Sequence, residues 1–175
     1  QQKILKGNLE SDNMYAIIRV RGSVNIKPKI KKTFELLNLA SVNHMSIWPE
    51  EVANLKMLKK VENYATFGTI SEKVLGEVIT KKAKALTGEL DVKQAIKTLA
   101  SGKTIKEAGI KNCFKLNSPK KGYERKGIKK PFSIGGALGN RKDKMDELVK
   151  KMMWLLWLKE NEERKIECEE KELTQ

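Results

Sequence analysis

Lys111 to Lys142 constrains the chain more than any other stretch. It reads KNCFKLNSPKKGYERKGIKKPFSIGGALGNRK. Ten Lys or Arg stand there against one acid, Glu124, so this segment carries nine of the chain's fourteen net positive charges. A run this basic cannot be a core. It must lie on a surface, and the rest of the fold has to be found on either side of it. Its five glycines let backbone approach a ligand or another chain segment closely. Pro119 and Pro131 fix part of its shape. Two readings fit these residues: a solvated loop, or a segment that lies along a phosphate backbone. As a free segment it has too few apolar residues to order itself, so it is expected to order on its ligand.

The remaining composition narrows the partner. With 175 residues and a third of them charged, one domain with a modest core is expected. A sequence pI near 9.7 points to an acidic partner, either nucleic acid or an anionic membrane. The longest apolar run, Met152 to Leu158, is far shorter than the roughly 20 residues a spanning helix needs. No secretory pattern opens the chain. Cys113 and Cys168 form no C-x-x-C pair, and His44 has no Cys or Asp at ligand spacing. No metal site is expected, and the thiols suit a reducing, cytoplasmic setting.

Periodicity supplies the elements. Tyr15 to Arg21 alternates, with Ala16, Ile18 and Val20 on one face and Tyr15, Ile17, Arg19 and Arg21 on the other. Pro28 suits the first turn of a helix carrying Ile30, Phe34 and Leu37, which Lys27, Lys29, Lys31 and Lys32 surround. Val42 to Trp48 reads as a second strand. Pro49 opens a helix with Val52, Leu55, Leu58 and Val61 inward, and Gly68 ends the turn after it. Ser71 is placed to cap a helix carrying Val74, Leu75, Val78 and Ile79. Residues 84–109 read as a small helical insertion. Ile110 to Leu116 reads as the third strand, and a final helix starts near Asp143. Three strands with one apolar face each imply an α+β sandwich with helices on one side. The other side would display Arg19, Arg21, His44, Trp48 and Lys115. That face suits RNA, a partner protein or plain solvent.

No constellation for catalysis emerges. Gly122 to Lys129 approximates a P-loop, but its Lys comes one place late and no Ser or Thr follows. Gly135, Gly136 and Gly139 lack dinucleotide spacing and no strand precedes them. His44 is the single imidazole and sits within a strand, without partners for a triad. Neither a catalytic residue nor a cofactor is expected. The rival readings are an enzyme acting on RNA or nucleotides with the loop as phosphate cradle, and a membrane binder using Met152 to Leu158.

Several blocks, taken in order, resemble one family. They are MYAIIRVRGSVN at Met14 to Asn25, VNHMSIWPE at Val42 to Glu50 and MLKKVENYATFG at Met57 to Gly68. The fourth is KLNSPKKGYERKGIKKPFSIGGALGNR at Lys115 to Arg141, followed by DELVKKM at Asp146 to Met152. Together they resemble the archaeal ribosomal protein L-thirty family, relatives of eukaryotic L-seven. The resemblance implies a ferredoxin-like βαβαβ core with a three-stranded antiparallel sheet over 14–83 and 110–117. It adds a helical insertion over 84–109 of the archaeal and eukaryotic kind. A basic glycine-rich loop over 118–142 and a C-terminal helix within 143–175 complete the chain. It also implies a structural role in the large ribosomal subunit, bound to its ribosomal RNA, with 5S RNA and neighbouring ribosomal proteins in reach. The family's RNA-contacting role would fall to Arg19, Arg21 and Asn25 at the strand end. In the loop it would fall to Lys120, Lys121, Gly122, Arg125, Lys126, Lys129, Lys130, Gly135, Gly136, Gly139 and Arg141. Neither membrane binding nor independent homo-oligomerisation is implied. Residues 1–13 precede the usual start. Past Met152 the chain departs from the pattern with an acidic tail and with Trp154 and Trp157, which suit either packing on the protein's own helices or anchoring a neighbouring ribosomal protein.

Overall fold

The computed structural model describes residues 14–49, 51–83 and 109–153. Trp154, Trp157, the acidic tail, the N-terminal extension and nearly all of the expected insertion lie outside the described residues.

Strand β1 (Met14–Arg19) is the centre of the fold. Ala16, Ile17 and Ile18 are all fully buried, so side chains pointing in both directions are removed from water. A strand like that needs cover on both faces. On either side β1 pairs antiparallel with β2 (His44–Pro49) and β3 (Ala65–Ile70). The five-stranded sheet has the order β4-β2-β1-β3-β5, with two-residue edge strands β4 (Phe114–Lys115) and β5 (Gly139–Asn140). Strand β5 runs parallel to β3.

Helices cover both faces. On one, α1 (Pro28–Leu36) and α2 (Val52–Val61) bury Phe34, Leu58 and Val61 against Ile17 and Phe67. On the other, α3 (Glu72–Lys82) and α4 (Met145–Met152) bury Val74, Val78, Leu148 and Met152 against Ala16, Ile18, Met45 and Ile47. The α+β class and the ferredoxin-like order β1-α1-β2-α2-β3 agree with the expectation, and so does the alternation of faces along β1.

Three details differ. The sheet has five strands, not three. The third core strand is Ala65–Ile70, a segment that the sequence suggested was the end of a helix followed by a turn. Gly68 is what misleads there: it looks like a stop but sits inside β3. A Cβ on it would come within 2.4 Å of the Lys142 carbonyl oxygen, so the close crossing of the returning chain demands glycine. Finally, of the expected open face of Arg19, Arg21, His44, Trp48 and Lys115, the middle is covered by α1 and α2, and only Lys115 at the sheet edge is fully exposed. Arg19 is buried, and Trp48 is half-buried against that layer.

The expected strand Ile110 to Leu116 shortens to two residues for a visible reason. The Cys113 amide donates to the Lys111 carbonyl at 2.7 Å, a tight turn that interrupts extended backbone. The buried side chain of Asn112 takes the place of the missing strand. Its Oδ1 accepts from the Ile47 amide and its Nδ2 donates to the Ile47 carbonyl, both at 2.8 Å. Asn112→Leu keeps the branched heavy-atom shape but orphans both backbone groups. It should cost about 1–3 kcal/mol for each group left unpaired. Urea denaturation should show this as a lower midpoint with an unchanged slope.

Candidate nucleic-acid interface

Strand β1 ends, and β2, β3 and β5 begin, at the same end of the sheet, as their registers require. The basic loop closes over that end. It leaves β4 with the Leu116 amide bonded to the Asn43 carbonyl (3.1 Å). The amides of Asn117 and Lys120 then donate to the carbonyls of Met152 (3.2 Å) and Lys151 (3.1 Å), which pins the start of the loop to the end of α4. Pro119 is buried. The Tyr123 hydroxyl donates to Asn43 Oδ1, while Asn43 Nδ2 donates to Ser118 Oγ at 3.2 Å. Asn43 itself sits at φ 62°, where Asn is better tolerated than most residues. Val20, Ala137 and Leu138 form a small apolar cluster with Tyr123 against it, so the loop has a core of its own.

The second half of the loop folds on the first. The backbone amide of Lys126 donates to the Gly135 carbonyl (3.3 Å), that of Phe132 to the Leu138 carbonyl (2.7 Å) and that of Leu138 to the Lys130 carbonyl (3.2 Å). The expectation of a segment that orders only on its ligand therefore meets a loop with its own backbone bonding. Four of its five glycines, Gly122, Gly127, Gly135 and Gly139, have positive φ. Gly136 is different. It is buried, and a Cβ there would lie 2.1 Å from the Lys130 carbonyl oxygen. Its close approach is to the protein's own backbone.

Two arginines expected to face a ligand lie inside. Arg141 is anchored by its own amide, which donates to the Phe67 carbonyl at 2.8 Å. Its Nε donates to Thr66 Oγ1 (3.0 Å) and its Nη1 to Glu124 Oε1 (2.8 Å), and its guanidinium lies 4.6 Å from the centre of the Phe132 ring. Its side chain is 3% exposed and that of Glu124 31%, so the pair is far better shielded than a surface ion pair. Arg141 thereby joins β3, the front of the loop and the 3-10 turn Phe132–Ile134. Arg19 caps the other side. It donates to the carbonyls of Leu39 (2.8 Å), Ala40 (2.7 Å) and Arg21 (3.0 Å), and lies over the Phe34 ring at 4.5 Å.

The remaining cations point out. Lys120, Lys121, Arg125, Lys126, Lys129 and Lys130 are all exposed, as are Gly122 and Asn25. Arg21 is half-exposed, stacked 4.9 Å over Tyr64 and bonded to the Asn63 carbonyl. Ile128 and Ile134 stand exposed among the lysines. Sequence reasoning missed Tyr123, Asn43, Thr66 and Glu124. Glu124 was the one readable signal, as the single acid in a field of cations.

His44 stands at the edge of this end. The Ser41 amide approaches its Nδ1 at 3.3 Å and Cys113 Sγ lies 3.7 Å from the same atom. Burial, then Lys115 and Arg19, lower its pKa from the ordinary value, which keeps the imidazole neutral at neutral pH. Among the described residues no three His, Cys, Asp or Glu gather as a metal site would require.

Two predictions follow from this geometry. Gly136→Ala cannot be absorbed without moving backbone and should cost about 1–3 kcal/mol locally. Amide exchange should accelerate at Phe132 and Leu138 but stay slow in β1. Burial pushes Tyr123 up to about 12, with Arg141 opposing. Its folded value is thus above the unfolded one, so its contribution to stability is intact below pH ~10 and falls as pH climbs toward ~12. Tyr123→Phe should flatten that alkaline loss in stability curves measured at stepped pH.

Comparison with known proteins places this architecture. The family model described as ribosomal protein L30p/L7e matches residues 15–65. Proteins called large ribosomal subunit protein uL30 are similar over most of the chain. That of Methanococcus maripaludis is 42% identical over 153 residues, 79% of this chain and 99% of the relative. That of Nanoarchaeum equitans is 41% identical over 149 residues, 78% of this chain and 96% of the relative. That of Aeropyrum pernix is 35% identical over 158 residues, 80% of this chain and 99% of the relative.

Proposed function

This chain belongs to the ribosomal protein L30p/L7e family, and from that premise we propose that it binds large-subunit ribosomal RNA through the outer surface of its basic loop. Its role in the ribosome is structural, not enzymatic. One observation supports the loop in particular. Six cations, Lys120, Lys121, Arg125, Lys126, Lys129 and Lys130, project from a backbone that the protein itself holds in shape.

Such a loop binds by charge and by form. Each phosphate neutralised releases condensed counterions, which is the sequence-independent part of the affinity. The fixed backbone adds selection for an RNA surface of matching shape, with little ordering left to be done on contact. Arg21 and Asn25 extend the surface along the end of β1. Arg19 and Arg141 act from within as positioning residues, and so do Gly135, Gly136 and Gly139. In this reading the protein works as a monomer within the cytoplasmic ribosome, with 5S RNA and neighbouring ribosomal proteins in reach. Trp154 and Trp157 are assigned to one such neighbour on the strength of the apolar run they belong to.

If about six phosphates are neutralised, log K should fall with log salt with a slope of roughly −4 to −5. Gln at all six loop positions should bring the slope toward zero, read by filter binding to large-subunit RNA across a salt series. The folded state should survive the change, because none of the six side chains is buried. A slope that stays the same in the six-fold variant would remove the loop from the interface.

A further inference from the structure

A second surface lies on the α1–α2 layer. Between these helices is a cleft of about 570 Å³ lined by Lys27, Lys29, Ile30, Lys32, Thr33 and Lys60. Its lining is mainly apolar, made by Ile30, the Thr33 methyl and lysine stems, with ammonium groups around the rim. Lys29, Lys32, Thr33 and Leu36 fall three, four and seven residues apart, which places them on one stripe of α1. Leu36 is 57% exposed, so the apolar strip continues past the cleft onto open surface. Among the described residues only Lys32 of the four lysines is ion-paired, to Glu35 at 3.4 Å, in an exposed contact of little strength.

We propose that this cleft is a docking groove for an acidic protein segment bearing apolar anchor side chains. The apolar side chain would sit on Ile30 and Thr33, and neighbouring carboxylates would meet Lys27, Lys29 and Lys60. Charge and lining together select this occupant. A nucleic-acid backbone is served by the rim alone and gains nothing from an apolar floor. An anionic segment with a leucine uses both. The binding mode is the groove recognition of an amphipathic segment. This surface is independent of the loop, so its failure would leave the RNA reading intact.

The probe is a short fluorescein-labelled peptide of alternating Leu and Glu, titrated by anisotropy into the full chain, with amide NMR shifts to locate it. Shift changes should fall on α1 and α2. The Lys29→Glu and Lys60→Glu double variant should bind roughly tenfold more weakly, with an unchanged melting temperature because both side chains are exposed. Ser in place of the peptide leucines should weaken binding comparably, and the six Gln exchanges in the loop should leave it unchanged. Equal binding of the Ser peptide would reduce the groove to general charge attraction and overturn the proposal. So would an oligouridine that shifts the α1 and α2 amides more strongly than the peptide does, since that result would make this face a second RNA surface.

Discussion

Everything in this molecule follows from a central strand that cannot touch water on either face. Ala16 and Ile18 point into one helical layer and Ile17 into the other. Burying one such side chain is worth about 1.5–3 kcal/mol, so exposing either face would forfeit a large share of a small domain's stability. Both neighbours of β1 must therefore be strands, and both faces must carry helices. The chain can leave this sandwich only at its ends. Arg19 shows how the end is closed. It continues the face of Ile17, and its guanidinium is held by three carbonyls and an aromatic ring instead of water.

That closed end is the platform for the loop. Strand β5 is too short to matter as a sheet element, yet it fixes where the chain returns, because Thr66 and Phe67 receive Gly139 and Asn140 in parallel register. Between the departure at Lys115 and this return, the loop is tied at Asn43, at the end of α4 and across itself. Its apolar residues Ala137 and Leu138 gather on Val20. With its interior filled by these residues and by Arg141, its lysines have only outward directions left. Their mutual repulsion is tolerated because exposed charges are screened over about 8 Å at physiological salt.

How far this was legible in the sequence depends on whether the signal was local. Alternation along β1 and helical spacing in α1, α3 and α4 are local patterns, and they gave the α+β class and most of the core, whereas the ferredoxin-like order came only with the family resemblance. The burial of Arg19 was invisible, since nothing around it says that α1 and α2 will close over its face. Strand β3 was missed because Gly68, a local breaker, is there for a distant reason: the passage of Lys142. Edge strand β4 was overextended because Asn112 replaces backbone by side chain, an exchange that periodicity cannot register. In the loop, charge and glycine content marked the segment, while the division between holding and displaying residues required the partners Thr66, Glu124 and Phe132.

That division has a chemical logic. An arginine offers several donors in a fixed plane and a face that stacks on aromatic rings, so one side chain can tie elements that are far apart in sequence. Arg141 does this with Thr66, Glu124 and Phe132. A lysine in its place would supply a compact charge without the plane, and would leave the ring and one acceptor unserved. Outside, the demand reverses. A phosphate surface met by many partners in slightly different places is better served by flexible point charges, and five of the six outward loop cations are lysines. Counting cations along Lys111 to Lys142 therefore overstates the charge that the loop displays. Arg141 belongs to the scaffold, and its ion pair with Glu124 removes both charges from the field that an approaching RNA would meet. The single acid of the loop is thus no blemish on a basic surface. It is the partner that lets one arginine be buried, and so lets the remaining cations be displayed.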